Sequence, residues 1–316
     1  MPPRSAPPPT AAGEATIDPE PATTGEARRV AIIAEALASV GQVPDLQDDC
    51  AQIHAPTRLI TTDTLVEGVH FDFQRDDPME VGAQAAVANL SDLAASGGRA
   101  GWLVWSLCLP EGFGEASLRA LTLGFATVAS RFGAAVVGGN LARTRGPLVV
   151  SVTAGGDLLG PRAWHRAAAQ PGDVIYLTGL VGDAALRWRC PSPATHAARH
   201  AWRPHLPEAA ALAAWGQVHA AMDVSDGLLI DAGRLAAASG LHLALDTARV
   251  PVSALYRHIH GEDRLPALTG GEDYVLLFTG PPGAPALPIG TCQPGAGVSL
   301  DGRPVAPTGF DHFAHP

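Results

Sequence analysis

Residues 57–72 read TRLITTDTLVEGVHFD. Thr57 to Val66 is rich in β-branched and apolar residues and predicts a β-strand. A strand that only packed a core would not carry Thr61, Thr62, Asp63 and Thr64 at what reads as its end, with Glu67 and His70 just beyond. The next periodic segment, MEVGAQAAVANLSDLAASGG, predicts a helix from Met79 stopped by Gly97 and Gly98. Further on, WLVWSLCLP reads as a strand closed by Pro110, and EASLRALTLGFATVASRFG as a helix capped by Gly133. AAVVGGN and LVVSVTAGG read as strands. A second block follows: strand DVIYLTG, a helix from Asp183, helix EAAALAAWG, strand AAMDVSDG, helix LLIDAGRLAAASG, then strands LHLALDT and YVLLFTG. Long helices among short strands predict two α/β layers divided near residue 160.

The chain has 316 residues, 47% hydrophobic and 16% charged, enough to bury a sizeable core. Its formal charge of −10 argues against nucleic acid and anionic membrane surfaces as partners, and suits a protein that gathers cations. All 21 basic residues are arginine. Without lysine there is no Schiff base, no lysine general base and no P-loop lysine. Cys50, Cys108, Cys190 and Cys292 are too far apart for a C-x-x-C motif and fit a reducing cytoplasm. Residues 1–26, rich in Pro, Ala and Thr, read as a flexible tail with no apolar signal region. The folded part is expected from Ala27, where ARRVAIIAEAL has helical spacing, and no apolar run reaches membrane-spanning length.

Acidic residues recur beside Gly, Ser or Thr: Asp48 and Asp49 in LQDDC, Asp63, Asp92 three residues after Asn89, Asp223 and Asp226 around Ser225, and Glu272 and Asp273 after two glycines. Taken singly, each reads as an N-cap, a solvated turn or a surface charge. Taken together, acid pairs at converging strand ends would repel one another, and divalent cations would relieve that repulsion. Oxygen ligands without Cys or His clusters favour Mg²⁺ over zinc, and Mg²⁺ so held usually shares its sphere with phosphates. Glycines in GGN (138–140) and GGED (270–273) would let backbone approach a phosphate. The pattern admits a Mg²⁺–nucleotide site beside the single-residue readings.

DDCAQI, TTDTLVEGVHF, ANLSDLAASG, GGNLAR, PGDVIYLTG, MDVSDGL, GGEDYVLLFT and GFDHF occur in this order from residue 48 to 313. In these segments the sequence resembles the thiamine-monophosphate kinase family, within the superfamily of aminoimidazole ribonucleotide synthetase. The resemblance implies an α/β (α+β) fold of two domains, 27–160 and 161–316, with the N-terminal domains pairing in a cytoplasmic homodimer. It implies transfer of the ATP γ-phosphoryl group to thiamine monophosphate, with Mg²⁺ bridging donor and acceptor. By position, Asp49, Thr61, Thr62, Asp63, Asp92, Asp223 and Asp226 match metal ligands, with Asp92 and Asp226 at the catalytic centre. Gly139, Arg166 and Ser225 match ATP contacts. His70 and Glu272 match contacts to thiamine monophosphate, with Phe310 beside them. Phosphoryl transfer asks for in-line alignment and neutralised charge more than for covalent chemistry, so a lysine-free chain can perform it. Arg143 and Arg166 read either as bidentate phosphate contacts or as plain surface charges.

The chain departs from the family pattern at four places. Asn140 stands where an Asp is usual, at a position expected to meet both metal and ATP. Gln47 replaces a Gly, Phe310 a Tyr, and Pro307 lies where an aromatic is expected. Two other readings fit part of the pattern: a related ATP-dependent synthetase acting on another small phosphate or amide, and a non-catalytic Mg²⁺–nucleotide-binding homologue.

Overall fold

The computed structural model describes residues 51–53, 58–192, 194–195 and 202–313. The tail, the helix expected from Ala27, Gln47 and Asp49 lie outside them. The described residues up to Phe310 form one compact unit, and it carries two sheets.

The first sheet contains β1 (Ala51–Ile53), β2 (Arg58–Val66), β3 (Gly98–Pro110), β4 (Ala135–Thr144) and β5 (Val149–Leu158), in the order β1-β2-β5-β3-β4. Only β3 and β4 run parallel. Two helices accompany it, α1 (Pro78–Ala95) and α2 (Glu115–Arg131). Asp77 caps α1, accepting from the Met79 amide at 2.8 Å, and Pro78 opens the first turn. The helix ends where Gly97 turns left-handed at φ +73°. Of its 18 residues 13 are buried, so α1 is a central helix rather than an amphipathic surface one. Gly82 and Gly124 let α1 and α2 touch backbone to backbone. A Cβ at Gly82 would lie 1.9 Å from the Leu121 carbonyl, and one at Gly124 1.8 Å from that of Met79.

The second sheet has the order β12-β11-β8-β10-β6-β9-β7. Its strands are β6 (Val174–Leu177), β7 (Ala221–Asp223), β8 (Leu241–Leu245), β9 (Leu276–Gly280), β10 (Leu287–Pro294), β11 (Gly297–Leu300) and β12 (Arg303–Val305). Its helices are α3 (Asp183–Arg189), α4 (Leu206–Trp215), α5 (Leu228–Ser239), α6 (Ala254–His260) and α7 (Leu265–Thr269). The core around α1 runs without a break from Leu59, Leu90 and Leu103 to Leu206, Leu212 and Phe278 of the second block.

Two placements differ from the sequence reading. Asp63 lies inside β2, not at its end, and GGN lies inside β4. In both strands the pairing partner continues past the polar residues, since β5 follows β2 to Val66 and β3 follows β4 to Thr144. Strands β10 to β12 were not anticipated, because their Gly- and Pro-rich sequence lacks an apolar alternation.

Candidate active site

Helix α1 carries the site. Strand alternation puts Thr61 and Asp63 on one face of β2 and Thr62 and Thr64 on the other. Thr61 Oγ1 donates to Asp92 Oδ2 at 2.5 Å. Among the described residues β1 pairs with β2 as far as Ile60, and the Asp63 amide donates to Asn89 Oδ1 at 3.1 Å. Thr62 turns its hydroxyl to the Val152 carbonyl of β5, at 2.7 Å. From the next position on the helix, Ser91 Oγ donates to Asp223 Oδ2 at 2.6 Å, a buried contact at the end of β7. Residues 89–92 of one helix thus join Thr61 and Asp63 of the first sheet to Asp223 of the second.

The loop after β7 is fixed by buried charge. The amides of Asp226 and Gly227 both donate to Asp231 Oδ2 at 3.1 Å, and Arg234 bridges Asp231 Oδ1 (2.8 Å) and Asp226. Burial, then the neighbouring Asp226, pushes the Asp231 carboxyl up to about 7, with Arg234 opposing. Arg166 lies near enough for its charge to pull Asp231 down, and its carbonyl accepts from Ser239 Oγ at 2.6 Å. Phe310, 41% exposed, hangs its amide on the Asp226 carbonyl at 2.9 Å. Pro307 packs on α5 beside Gly233.

The GGEDY loop lies along the same segment. Its amides at Glu272 and Tyr274 donate to the carbonyls of Ser225 (2.6 Å) and Val224 (2.9 Å). A side chain at Gly271 would put Cβ 2.6 Å from the Ser225 carbonyl. Glu272 and Tyr274 are left-handed at φ +68° and +53°, a strain of about 1–2 kcal/mol each. Asp273 holds the loop from inside, its two oxygens accepting from the Gly182 amide at 3.0 and 2.9 Å; burial raises its carboxyl well above the usual range. Glu272 Oε1 accepts from Gln84 Nε2 of α1 at 2.6 Å. His70, in the loop after β2, accepts the Val66 amide on Nδ1 at 3.0 Å, and its carbonyl lies 3.5 Å from the same Gln84 nitrogen.

The structure therefore gathers Thr61, Asp63, Asp92 and Asp223 along α1, and ties Ser225, Asp226, Glu272 and Phe310 through one backbone network. Gly139 and Asn140 stand apart. They sit on β4, with β5 and β3 between it and β2, so three strand spacings, about 14 Å, separate them from Asp63 of β2. Among the described residues no three His, Cys, Asp or Glu side chains converge tightly enough to hold a metal unaided. The donors present are carboxylates and hydroxyls spread along a helix, which suits Mg²⁺ completed by phosphate oxygens and not a closed all-protein site. Sequence reasoning passed over Gln84, Ser91, Asp231 and Arg234. The signal for Ser91 is a polar residue between Asn89 and Asp92 on a helix whose other residues from Ala85 to Ala95 are Ala, Val and Leu.

The family model "AIR synthase related protein, N-terminal domain" matches residues 47–158, and "AIR synthase related protein, C-terminal domain" matches residues 170–260. The chain is thus AIR synthase related, with the N- and C-terminal modules in this order. The thiamine-monophosphate kinase of Escherichia coli K12 is 36% identical over 301 residues, covering 85% of this chain and 91% of that protein. That of Aquifex aeolicus is 32% identical, covering 84% and 92%. The solved structure of AaThiL complexed with AMPPCP and TMP superposes with a TM-score of 0.83 at 31% identity, covering 94% of this chain and 100% of that one. E. coli HypE, a hydrogenase maturation protein, shares the fold at a TM-score of 0.66 and 20% identity, covering 89% of this chain and 98% of that one. The chain belongs to the thiamine-monophosphate kinase family.

Proposed function

We propose that this protein transfers the γ-phosphoryl group of ATP directly to the phosphate of thiamine monophosphate, giving thiamine diphosphate and ADP. The observation that carries the reading is the double use of α1. Asp92 and Ser91 meet Thr61 and Asp223 at one end, and Gln84 meets Glu272 and His70 eight residues earlier. Eight residues are about 12 Å of helix, a span on the order of an extended thiamine phosphate. The acid end suits the phosphates, and Glu272 and His70, with Phe310, suit the heterocycles.

Asp49, Thr61, Thr62, Asp63, Asp92, Asp223 and Asp226 are the residues we assign to Mg²⁺, with Asn140, three strands away on β4, as a neutral ligand to a further Mg²⁺ ion. Bound there, Mg²⁺ supplies the positive charge that lets two anionic phosphates approach. Asp92 is held by Thr61 and Asp223 by Ser91, so their oxygens are oriented before substrate arrives. Gly139, Arg166 and Ser225 are assigned to ATP. The protein needs no base, because the acceptor phosphate is already ionised.

The same proposal includes a domain division at residues 160/161, a cytoplasmic setting and a homodimer. No helix among the described residues is long and apolar enough to cross a membrane. β4 is an edge strand exposing Val137 (62%) and Leu141 (61%), a surface that a second copy would cover. Light scattering after size exclusion tests this, and Val137→Asp should yield monomer. The function is tested by incubating the protein with Mg²⁺, ATP and thiamine monophosphate and chromatographing for thiamine diphosphate. Free thiamine offers no phosphate to the acid end and should turn over at a negligible rate; comparable rates for both would refute the reading.

A further inference from the structure

We infer that Gln84 is a positioning residue for the thiamine end of the site, an amide clamp that fixes the Glu272 carboxylate and the His70 loop relative to one another. The inference deepens the proposed function and rests on its assignment of Glu272 and His70 to the substrate.

Gln84 is 1% exposed, within a helix turn otherwise built of Gly, Ala and Val. A glutamine buried there costs free energy unless its amide is used. Its two neighbours decide which way the amide faces. An ionised carboxylate accepts only, and so does a backbone carbonyl, so the NH₂ group must point to both. The bond to Glu272 Oε1 is 2.6 Å and charge-assisted; the contact to the His70 carbonyl, at 3.5 Å, is at the long limit.

Both partners need such a fixture. Glu272 sits on left-handed backbone, tethered through its amide to Ser225, and Gln84 holds the other end of the residue. His70 lies in a turn that Gly68 closes at φ +83°, with the Gly68 amide on the Phe71 carbonyl at 2.7 Å. The loops come from opposite blocks of the chain, 202 residues apart, and α1 reaches both. A substrate contacting Glu272 and His70 together would feel any loosening of Gln84 as lost orientation, while ATP at the acid end, about 12 Å away along the helix, would not.

The test uses the full-length protein with Gln84→Met, which keeps length and volume but removes both donors, and Gln84→Lys, which keeps a donor of similar reach. Gln84→Met should raise KM for thiamine monophosphate about tenfold, leaving kcat within about twofold and KM for ATP unchanged. Gln84→Lys should stay within about threefold of wild type. Hydrogen–deuterium exchange without substrates should quicken in segments 67–73 and 271–275 of Gln84→Met and nowhere else. An unchanged KM for thiamine monophosphate, or equal rises in both KM values, overturns the clamp. So does unaltered exchange in both segments. If the wild-type protein forms no thiamine diphosphate, the functional reading fails, and the exchange data alone still decide whether Gln84 clamps the two loops.

Discussion

Strand β2, with Asp63, and the paired loops 223–227 and 271–274, with Asp223, Asp226, Glu272 and Asp273, place acidic side chains of the candidate site by opposite means. β2 is regular. Its nine residues pair with β5 without a register shift, and alternation alone sends Thr61 and Asp63 to one face and Thr62 to the other. The loops are irregular. They rest on left-handed residues at 272 and 274, a Gly227 at φ +128°, and two buried acids, Asp231 and Asp273, that accept backbone or arginine N–H groups. Repetitive structure places side chains at no cost beyond the strand itself. A strained loop places them only while buried polar groups hold it, so its geometry is cooperative and easier to break.

The largest effect is expected where the two regions meet. Arg187 of α3 pairs with Asp76, in the loop after β2, at 3.1 Å, both side chains almost wholly buried (3% and 0% exposed). Arg187 also lies over Trp202, which meets Tyr274 edge-on. Arg187→Met strands the Asp76 charge and should cost about 3–5 kcal/mol in chemical denaturation; a loss under about 1 kcal/mol would show that the regions are not coupled through this pair.

Next is Asp92→Asn, which probes the regular region. Helix and strand should persist with an unchanged circular dichroism spectrum, while the rate of thiamine diphosphate formation falls on the order of 10²–10³-fold. Full turnover at saturating Mg²⁺ would remove Asp92 from the centre.

A third experiment reads pH. Burial, partly offset by Glu208, lowers His205 to about 4, and its Nδ1 lies 2.7 Å from Thr178 Oγ1. The unfolded chain takes up that proton at about 6.5, before the folded one does. The contribution of His205 to stability is therefore complete above that pH and drains away as pH falls toward 4, by on the order of 3 kcal/mol. The difference between the melting curves of wild type and His205→Gln between pH 7 and 4 measures it, and that difference should shrink as pH falls.

Asp273→Ala isolates the loop region. It leaves the Gly182 amide without its buried acceptor and should cost about 2 kcal/mol, with KM for thiamine monophosphate rising as Glu272 loses its support. If stability falls while that KM holds, the loop does not depend on its buried carboxylate.

The smallest effect concerns Asn140. Asn140→Asp adds one ligand charge and should lower the Mg²⁺ concentration for half-maximal rate about tenfold, or 1.4 kcal/mol. Coincident curves would mean that the residue on β4 stays remote from the metal.

Much of this molecule is legible in its sequence because the information is local. The helix Pro78–Ala95 announces itself by Asp77, Pro78 and the closing glycines, and β2 by its β-branched run. The chain's acidic charge and lack of lysine, with Asp, Thr and Gly in GGEDY, VSDG and TTDT, point to oxygen-bound cations and phosphates before any coordinate is known. What the sequence could not reveal is partnership. That Ser91 serves Asp223 across 132 positions, that Gln84 spans 188 to reach Glu272, and that Asp273 is tethered to Gly182 while its neighbour Glu272 meets α1 all depend on long-range packing. Side-chain chemistry and local backbone preference belong to the residue itself. Burial and hydrogen-bond partners, which decide whether an Asp caps, tethers or binds, belong to the folded chain alone.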